Sequence, residues 1–115
     1  MGGKAQIKHD KPMCVIIWEY QVKAERVIEF ERIYASNGVW AELFRKEEGY
    51  LGTQLLRDSN HSQRYITMDR WVSSQAYNSF QAKWQDEYKA LDERCKDLTD
   101  SESFLGTFSS AHPGG

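Results

Sequence analysis

The chain has 115 residues, a length typical of a single domain with one hydrophobic core. Its 15 basic and 17 acidic side chains give a formal net charge of −2, which excludes the strongly basic surface that nucleic acids and anionic membranes select. The longest apolar run, Cys14 to Trp18, is too short to cross a bilayer, and the first residues contain no apolar leader segment. We therefore expect a cytoplasmic protein without nucleic-acid or membrane partners.

The first half of the chain predicts one strand and two helices. Residues 1–12 are polar and aperiodic, so we expect a flexible N-terminal arm. Residues 13–22 are rich in β-branched and aromatic side chains, which is typical of a strand, and the first half of this segment is apolar on both alternating faces. Apolar residues three and four positions apart predict a helix over residues 24–35 and a second helix over residues 39–48, which ends before Gly49.

The second half predicts a hairpin, a long helix and a last strand. Residues 50–58 and 64–71 flank the polar loop at 59–63, so we expect two antiparallel strands. Ser73 is a candidate N-cap for a helix in which large apolar residues recur every three or four positions as far as Leu98, over about six turns. Residues 104–108 predict a short final strand and residues 109–115 a flexible tail. The single domain then spans residues 13–108.

This order of elements predicts a fold and an oligomeric state. Strand, helix, strand, strand, helix, strand is the βαββαβ order of a ferredoxin-like α+β sandwich with an antiparallel sheet. Helices packed on one face of such a sheet leave its other face bare. Because the first strand is apolar on both faces, we expect a second copy of the chain to cover the bare face, sheet against sheet, in a homodimer.

Four segments of the sequence resemble a known family. They are WEYQV at 18–22, FERIYASNGVWAELFRKEEGYLGTQLLRD at 30–58, RYITMDRWVSSQAY at 64–77 and EYKALDERCKDLTDSESFLGTF at 87–108. The most specific positions are Trp71, Ser73, Ala76 and Tyr77, which match a W-x-S-x-x-A-aromatic signature. Over nearly all of residues 13–108 the chain resembles the antibiotic-biosynthesis-monooxygenase-like family of dimeric α+β barrels.

The resemblance implies a fold and a range of activities. The implied fold is a dimeric α+β barrel. Characterised members include oxygenases of quinols and polycyclic aromatics that use no metal or flavin, so the resemblance implies a cofactor-independent monooxygenase of a phenolic or quinol-type aromatic, without a cofactor. Other members degrade haem, with an asparagine on the first strand, a tryptophan at the end of the third and a histidine on the last long helix. Only Trp71 matches that set here, which disfavours haem breakdown.

Aromatic residues are the one compositional excess, with 4 Trp, 6 Tyr and 5 Phe. They are numerous enough to build a dry pocket between sheet and helices, or to fill a core. Helical spacing of Tyr77, Phe80 and Trp84 is typical of a core, whereas Trp18 and Trp71 each end a strand beside charged residues and fit either interpretation. The candidate substrate-binding residues are Trp18, Tyr20, Trp40, Phe44, Trp71, Tyr77 and Phe80.

Asp69 and Arg70 are the candidate catalytic residues. Adjacent strand residues point to opposite faces, so one of these charges shares a face with Ile66 and Met68 and the other a face with aromatic residues. A buried carboxylate among aromatic rings has a raised pKa and can act as a base near neutral pH. Asp69 is therefore the candidate base and Arg70 the candidate partner of an anion. The alternative is a structural ion pair or two solvated charges at a strand end.

The sequence contains no metal or dinucleotide motif. His9 and His112 lie in the predicted arms and His61 in a polar loop, and no HxxxH, HExxH or GxGxxG spacing occurs. Cys14 and Cys95 fit buried thiols. A function of another class stays open beside the oxygenase: a non-catalytic dimeric module that binds a small, flat apolar ligand. The absence of an obvious pair of catalytic bases favours that alternative.

Overall fold

The computed structural model describes residues 13–111. Two 3₁₀ turns, Ala24–Arg26 and Lys96–Leu98, connect regular elements. The strands and helices are β1 (Cys14–Val22), α1 (Val27–Tyr34), α2 (Val39–Phe44), β2 (Tyr50–Arg57), β3 (Arg64–Trp71), α3 (Ser74–Lys83), α4 (Gln85–Cys95) and β4 (Thr99–Phe108). The predicted N-terminal arm, His9, His112 and the end of the predicted tail lie outside the described residues.

The four strands form one sheet in the order β2-β3-β1-β4, and every neighbouring pair is antiparallel. This order places the first and third strands at the centre, as in a ferredoxin-like α+β fold, and confirms the predicted fold class. The hairpin predicted for β2 and β3 is confirmed as well, since the two strands pair directly. Ser73 caps α3, because its Oγ accepts the backbone N–H of Ala76 at 3.2 Å.

The helices cover one face of the sheet. Tyr65, Thr67, Asp69 and Trp71 of β3 are all buried, whereas the residues between them are only partly buried, so alternate side chains of this strand point toward the helices. Tyr65 contacts Phe30 of α1 with ring centroids 5.0 Å apart. The hydrophobic core of the chain therefore lies between this face and the helices.

The predicted long helix is two helices in the structure. Its backbone leaves the helical region at Trp84, with φ −115° and ψ 29°, so that α3 ends and α4 begins there. The Trp84 ring packs against the core, and the Lys46 ammonium lies 4.9 Å from its centroid. Because no Pro or Gly occurs at this point, the sequence contains no local signal for the break.

Strand β4 begins at Thr99, five residues before the predicted start at residue 104. The added segment is polar and exposed, and Thr99 to Ser103 pair with Val22 to Glu19 of β1. A polar edge strand gains its order from backbone pairing and not from burial, which is why hydrophobic patterning misses it.

No helix or strand of residues 13–111 covers the second face of the sheet. This face carries Val15 and Ile17 of β1 with Ile66 and Met68 of β3, all partly buried, and exposed apolar side chains from the edge strands, Leu56 and Phe108. None of the helices in the described residues is long and apolar enough to span a membrane.

Candidate active site

A small cavity lies between the helical face of the sheet and helices α1, α2 and α4. Its volume is about 30 Å³, enough for about two water molecules. Six aromatic residues, two threonines and three carboxylates line it: Trp18, Tyr20, Tyr34, Trp40, Phe44, Tyr88, Thr53, Thr67, Asp69, Asp92 and Glu102. The lining combines apolar ring surfaces with a few converging polar groups, which is the usual composition of a small-molecule site.

Ring-to-ring contacts hold the aromatic lining together. Tyr20 of β1 lies 5.1 Å from Tyr34 at the end of α1, Tyr34 lies 6.1 Å from Trp40, and Trp40 lies 5.0 Å from Tyr88 of α4, measured between centroids. Trp40 and Phe44 are one helical turn apart and therefore lie on the same side of α2. Segments far apart in the sequence thus meet in one aromatic enclosure.

The enclosure contains neutral hydrogen-bond donors. Burial raises the pKa values of Tyr34 and Tyr88, so both hydroxyls keep their protons at neutral pH. The Trp40 indole N–H is buried and lies next to the Tyr34 hydroxyl and the Cys95 thiol; burial raises the pKa of that thiol, while Tyr34 and Trp40 lower it. These groups can donate to a ligand oxygen without adding positive charge.

Asp69 is the buried carboxylate of the cavity. It lies on the central strand β3, points toward the helices and is 8% exposed. Its Oδ1 accepts the Thr53 hydroxyl at 2.6 Å. Burial raises the pKa of Asp69 to about 6, although the Thr53 hydrogen bond acts in the opposite direction because it stabilises the carboxylate. A carboxyl group with this pKa can accept a proton near neutral pH.

Thr53 connects Asp69 to Tyr50 through a second hydrogen bond, of 2.5 Å, between the two hydroxyls. Residues 50 and 53 of a regular strand would point to opposite faces. Here Tyr50 pairs with Trp71 and Gly52 with Arg70, so Leu51 is an extra residue in a β-bulge. The bulge turns Tyr50 and Thr53 to the same face.

Glu102 of β4 and Asp92 of α4 add negative charge to the lining. Burial and, second to it, the charge of Asp92 raise the pKa of Glu102. No Lys or Arg lines the cavity within the described residues. A neutral ligand is therefore favoured over an anionic one at the entrance.

The structure brings together five of the nine predicted site residues in this cavity: Trp18, Tyr20, Trp40, Phe44 and Asp69. Trp71 and Phe80 are fully buried in the core, and Tyr77 packs against Trp71 with centroids 5.5 Å apart. Arg70 points to the opposite sheet face, where its Nη2 donates to Gln54 Oε1 at 3.1 Å. Strand alternation thus separates it from Asp69, and it cannot contact the same ligand within one chain.

Sequence reasoning missed Thr53, Thr67, Tyr34, Tyr88, Asp92 and Glu102. A signal for Thr53 was present, because Gly52 inside a strand is a common mark of a bulge that redirects neighbouring side chains. The other five carry no comparable local signal, since their role depends on which elements meet.

Metal and thiol chemistry find little support in the described residues. No group of three or more His, Cys, Asp and Glu side chains there could hold a metal ion. Cys14 and Cys95 are both buried and free thiols, as predicted from the absence of CxxC spacing and of a nearby histidine cluster. Helices α3 and α4 contain no histidine that could ligate haem iron.

A model of the family described as antibiotic biosynthesis monooxygenase matches residues 13–94. The chain belongs to this family. The match extends from β1 through most of α4 and therefore contains every cavity-lining residue except Glu102. A comparison with curated protein sequences gave no match.

Solved structures share the fold. SnoaB, a cofactor-independent oxygenase from Streptomyces nogalater, is 20% identical with a TM-score of 0.68, over 88% of this chain and 95% of that one. A protein from Bordetella bronchiseptica named for the same family is 18% identical with a TM-score of 0.69, over 89% and 100%. A conserved protein from Methanosarcina mazei Go1 is 14% identical with a TM-score of 0.67, over 91% and 98%. Identities this low establish a common fold and leave the substrate open.

Proposed function

We propose that this protein is a cofactor-independent monooxygenase that oxidises a phenolic or quinol-type aromatic in the cavity around Asp69. The observation that carries the proposal is Asp69 itself, a buried carboxyl group in an aromatic enclosure with a pKa of about 6. Family membership and the common fold with SnoaB, a cofactor-independent oxygenase, support the same reaction class.

The chemistry needs an electron-rich anion and molecular oxygen. Asp69 takes the hydroxyl proton of the substrate, and the resulting anion passes an electron to O₂ and then forms a C–O bond as the two radicals combine. The peroxide anion recovers a proton from Asp69. Loss of water, which removes the ring hydrogen and one oxygen atom, leaves a quinone. One phenol and one O₂ thus give one quinone and one water, and the substrate supplies all four electrons.

Neutral donors stabilise the anion in this scheme. The Tyr34 and Tyr88 hydroxyls keep their protons, and the Trp40 N–H is a further neutral donor in the cavity wall. Preorganised donors of this kind stabilise developing negative charge in a site from which water is excluded. They also suit an acid-lined cavity, because the substrate enters uncharged and becomes an anion only beside Asp69.

Substrate entry requires movement of the lining, since about 30 Å³ does not admit an aromatic ring. Two rings of the lining are partly buried, Trp18 and Tyr88, and Trp18 packs on Phe104, which is 53% exposed, with centroids 5.4 Å apart. We propose that rotation of the Trp18 and Phe104 rings opens the cavity toward β4.

The decisive experiment measures oxygen uptake and quinone formation with a panel of naphthohydroquinones, against the autoxidation rate without protein. The wild type should exceed that background, and ¹⁸O₂ should place one labelled oxygen in a hydroxynaphthoquinone product, whereas simple oxidation to the quinone releases hydrogen peroxide and incorporates no label. Asp69→Asn should lower the rate by about a hundredfold or more, since a general base contributes roughly 10² to 10⁴. Ligand binding without any rate above background would instead establish a non-catalytic binding module.

We also propose a homodimer in which the two uncovered sheet faces pack together. Exposed apolar side chains such as Leu56 and Phe108 support it, because a sheet face with this composition is stabilised by an apolar partner surface. Native mass spectrometry should give twice the chain mass, 13.4 kDa per chain. Met68→Asp should shift the population to monomers, whereas Gln85→Asp, at the exposed start of α4, should not. A wild-type monomer would refute this assembly.

A further inference from the structure

A continuous hydrogen-bonded chain runs from the cavity to the edge strand β2. Thr53 has a single hydroxyl proton, which it donates to Asp69 Oδ1 at 2.6 Å. In the 2.5 Å contact with Tyr50, Thr53 must then accept, and the Tyr50 hydroxyl donates. When Asp69 is protonated, both bonds can reverse, with Asp69 donating to Thr53 and Thr53 to Tyr50. The chain can therefore move a proton in either direction.

Thr53 separates the cavity from solvent. On one side it lines the cavity, and on the other it lines an open groove of about 600 Å³ between the end of α1 and β2. Ser36 lines the same groove, and its carbonyl accepts a hydrogen bond from the exposed Arg45 at 3.0 Å. Arg45 is close enough to Tyr50 to lower the pKa of its hydroxyl, although burial raises it more. Tyr50, the outer end of the chain, is only partly buried, so this end is accessible to solvent.

We infer that Thr53 and Tyr50 form a proton path that keeps Asp69 in exchange with solvent while a substrate fills the cavity. Asp69 passes its proton to Thr53, Thr53 passes its own to Tyr50, and Tyr50 releases one to water at the groove. The reverse sequence returns a proton for the peroxide, so no net proton is gained or lost. The inference rests on the proposed function, in which Asp69 takes a proton from the substrate.

The opposite edge strand, β4, contains a second β-bulge that has no hydrogen-bonded chain of hydroxyls. The bulge at Leu51 therefore does not need the hydroxyls of Tyr50 and Thr53 in order to form. In β4, Leu105 is the extra residue of a second bulge, because Phe104 pairs with Trp18 and Gly106 with Ile17. Thr107 then faces Ile16, where Thr53 faces Asp69. At the β4 bulge, Phe104 has no hydroxyl to donate and Ile16 has no polar side-chain atom to accept, so no chain of hydrogen bonds forms through Thr107. The tyrosine and the acid occur together only at the β2 bulge.

Other ionisable groups also influence Asp69. The hydroxyls of Tyr20, Tyr77 and Tyr88 face it from β1, α3 and α4, and its charge raises the pKa of each of them. Asp92 and Glu102 line the same cavity, and the charge of Asp92 acts on Glu102. Thr53 is the hydroxyl that donates to it directly.

A titration without substrate tests the chain. The carboxyl ¹³C signal of Asp69, assigned by its absence in Asp69→Asn, should titrate near pH 6 in the wild type. Thr53→Val should move the midpoint upward because the carboxylate loses its donor, and Tyr50→Phe should move it upward by less. Thr53→Ser should restore the wild-type midpoint, and Thr107→Val should leave it unchanged. An unchanged midpoint in both Thr53→Val and Tyr50→Phe overturns the inference.

Turnover provides the second readout, for variants that a thermal melt shows to be folded. Thr53→Val and Tyr50→Phe should lower kcat by roughly tenfold or less, with little change in KM, since neither residue need touch the substrate. The pH at which kcat/KM rises should move with the NMR midpoint. A kcat that falls in Asp69→Asn and stays at the wild-type value in Thr53→Val overturns the proton path. Absence of any wild-type turnover refutes the proposed function, while the titration still decides whether the chain controls Asp69.

Discussion

The two edge strands of the sheet contain the same four-residue pattern and use it differently. Residues 50–53 of β2 read Tyr-Leu-Gly-Thr and residues 104–107 of β4 read Phe-Leu-Gly-Thr. In both, the leucine is the extra residue of a bulge, and the aromatic residue pairs with a tryptophan of a central strand. One bulge leads to a buried acid and the other to a buried isoleucine. The same β-bulge can therefore contribute to a reactive site only where the residue it faces on the central strand is itself reactive, as Asp69 is and Ile16 is not.

The glycines explain why the pattern recurs. Gly52 has φ +148° and Gly106 has φ +146°, and these are the positive-φ residues of the described chain. Residues with a Cβ rarely adopt this conformation, so a glycine allows each bulge at low cost. The extra residues, Leu51 and Leu105, are exposed, at 54% and 44%. Each bulge interrupts the regular ladder of its edge strand, which also discourages edge-to-edge association.

The largest expected loss of stability comes from replacing Trp71, which pairs with Tyr50 beside the β2 bulge, and it should exceed the loss from replacing Trp18, which pairs with Phe104 beside the β4 bulge. Trp71 is fully buried and contacts the rings of Phe44, Tyr50 and Phe80, so Trp71→Ala should lower the free energy of unfolding by about 3 to 5 kcal/mol. Trp18 is only partly buried, and Trp18→Ala should cost clearly less. Denaturant unfolding of both variants measures the difference. Equal losses of unfolding free energy would show that Trp18 contributes as much to the stability of the core as Trp71, contrary to the difference in their burial.

Asp69→Asn should stabilise the protein above pH 6. A folded-state pKa of about 6, against 3.8 for an unperturbed group, means that stability falls as the pH rises from about 4 to about 6 and stays low above. At about 1.4 kcal/mol per pKa unit, removing the charge should restore about 3 kcal/mol at pH 8. Denaturant unfolding at pH 4 and pH 8 measures it. The matched change in β1, Ile16→Asn, should destabilise at both values, and a pH-independent gain in Asp69→Asn would contradict the burial of its charge.

Alanine at the two bulge glycines should have smaller effects of unequal size. A Cβ on Gly52 meets no atom within 4 Å, so Gly52→Ala pays only backbone strain, about 1 to 2 kcal/mol. A Cβ on Gly106 also approaches the Phe108 ring at 3.2 Å, so Gly106→Ala should cost slightly more. Thermal unfolding measures both losses. Only the Gly52 change should alter the titration of Asp69, and a change in both variants would mean that the bulges are coupled.

The smallest effect is expected at Thr107. This residue is exposed, and Thr107→Val should change the free energy of unfolding by less than about 0.5 kcal/mol. Thr53→Val removes a hydroxyl that donates to a buried carboxylate, ionised at pH 8, and should cost roughly 1 to 3 kcal/mol at that pH. Unfolding of both variants at pH 8 and pH 4 measures the contrast. The loss in Thr53→Val should shrink at pH 4, where Asp69 is protonated, and a loss that does not shrink would argue for packing instead.

Much of this protein follows from the sequence, because the governing patterns are local. The period of two in residues 64–71 predicts β3 to the residue and places Asp69 and Arg70 on opposite faces. The Ser73 cap and the order of elements predict the helix start and the sheet in the same way. The aromatic excess predicts an aromatic enclosure but cannot distinguish the cavity ring Trp40 from the core ring Trp71, since both are hydrophobic residues on inward faces.

Tertiary structure alone decided which residues share the site. Tyr34, Thr53 and Tyr88 meet Asp69 around one cavity although their elements are distant in sequence, and no local pattern specifies such convergence. The bulge at Leu51 reverses the alternation that local reasoning relies on, and so brings Tyr50 and Thr53 to one face. Periodicity fixes the direction of a side chain relative to its own element. The neighbours of that side chain depend on how separate elements pack.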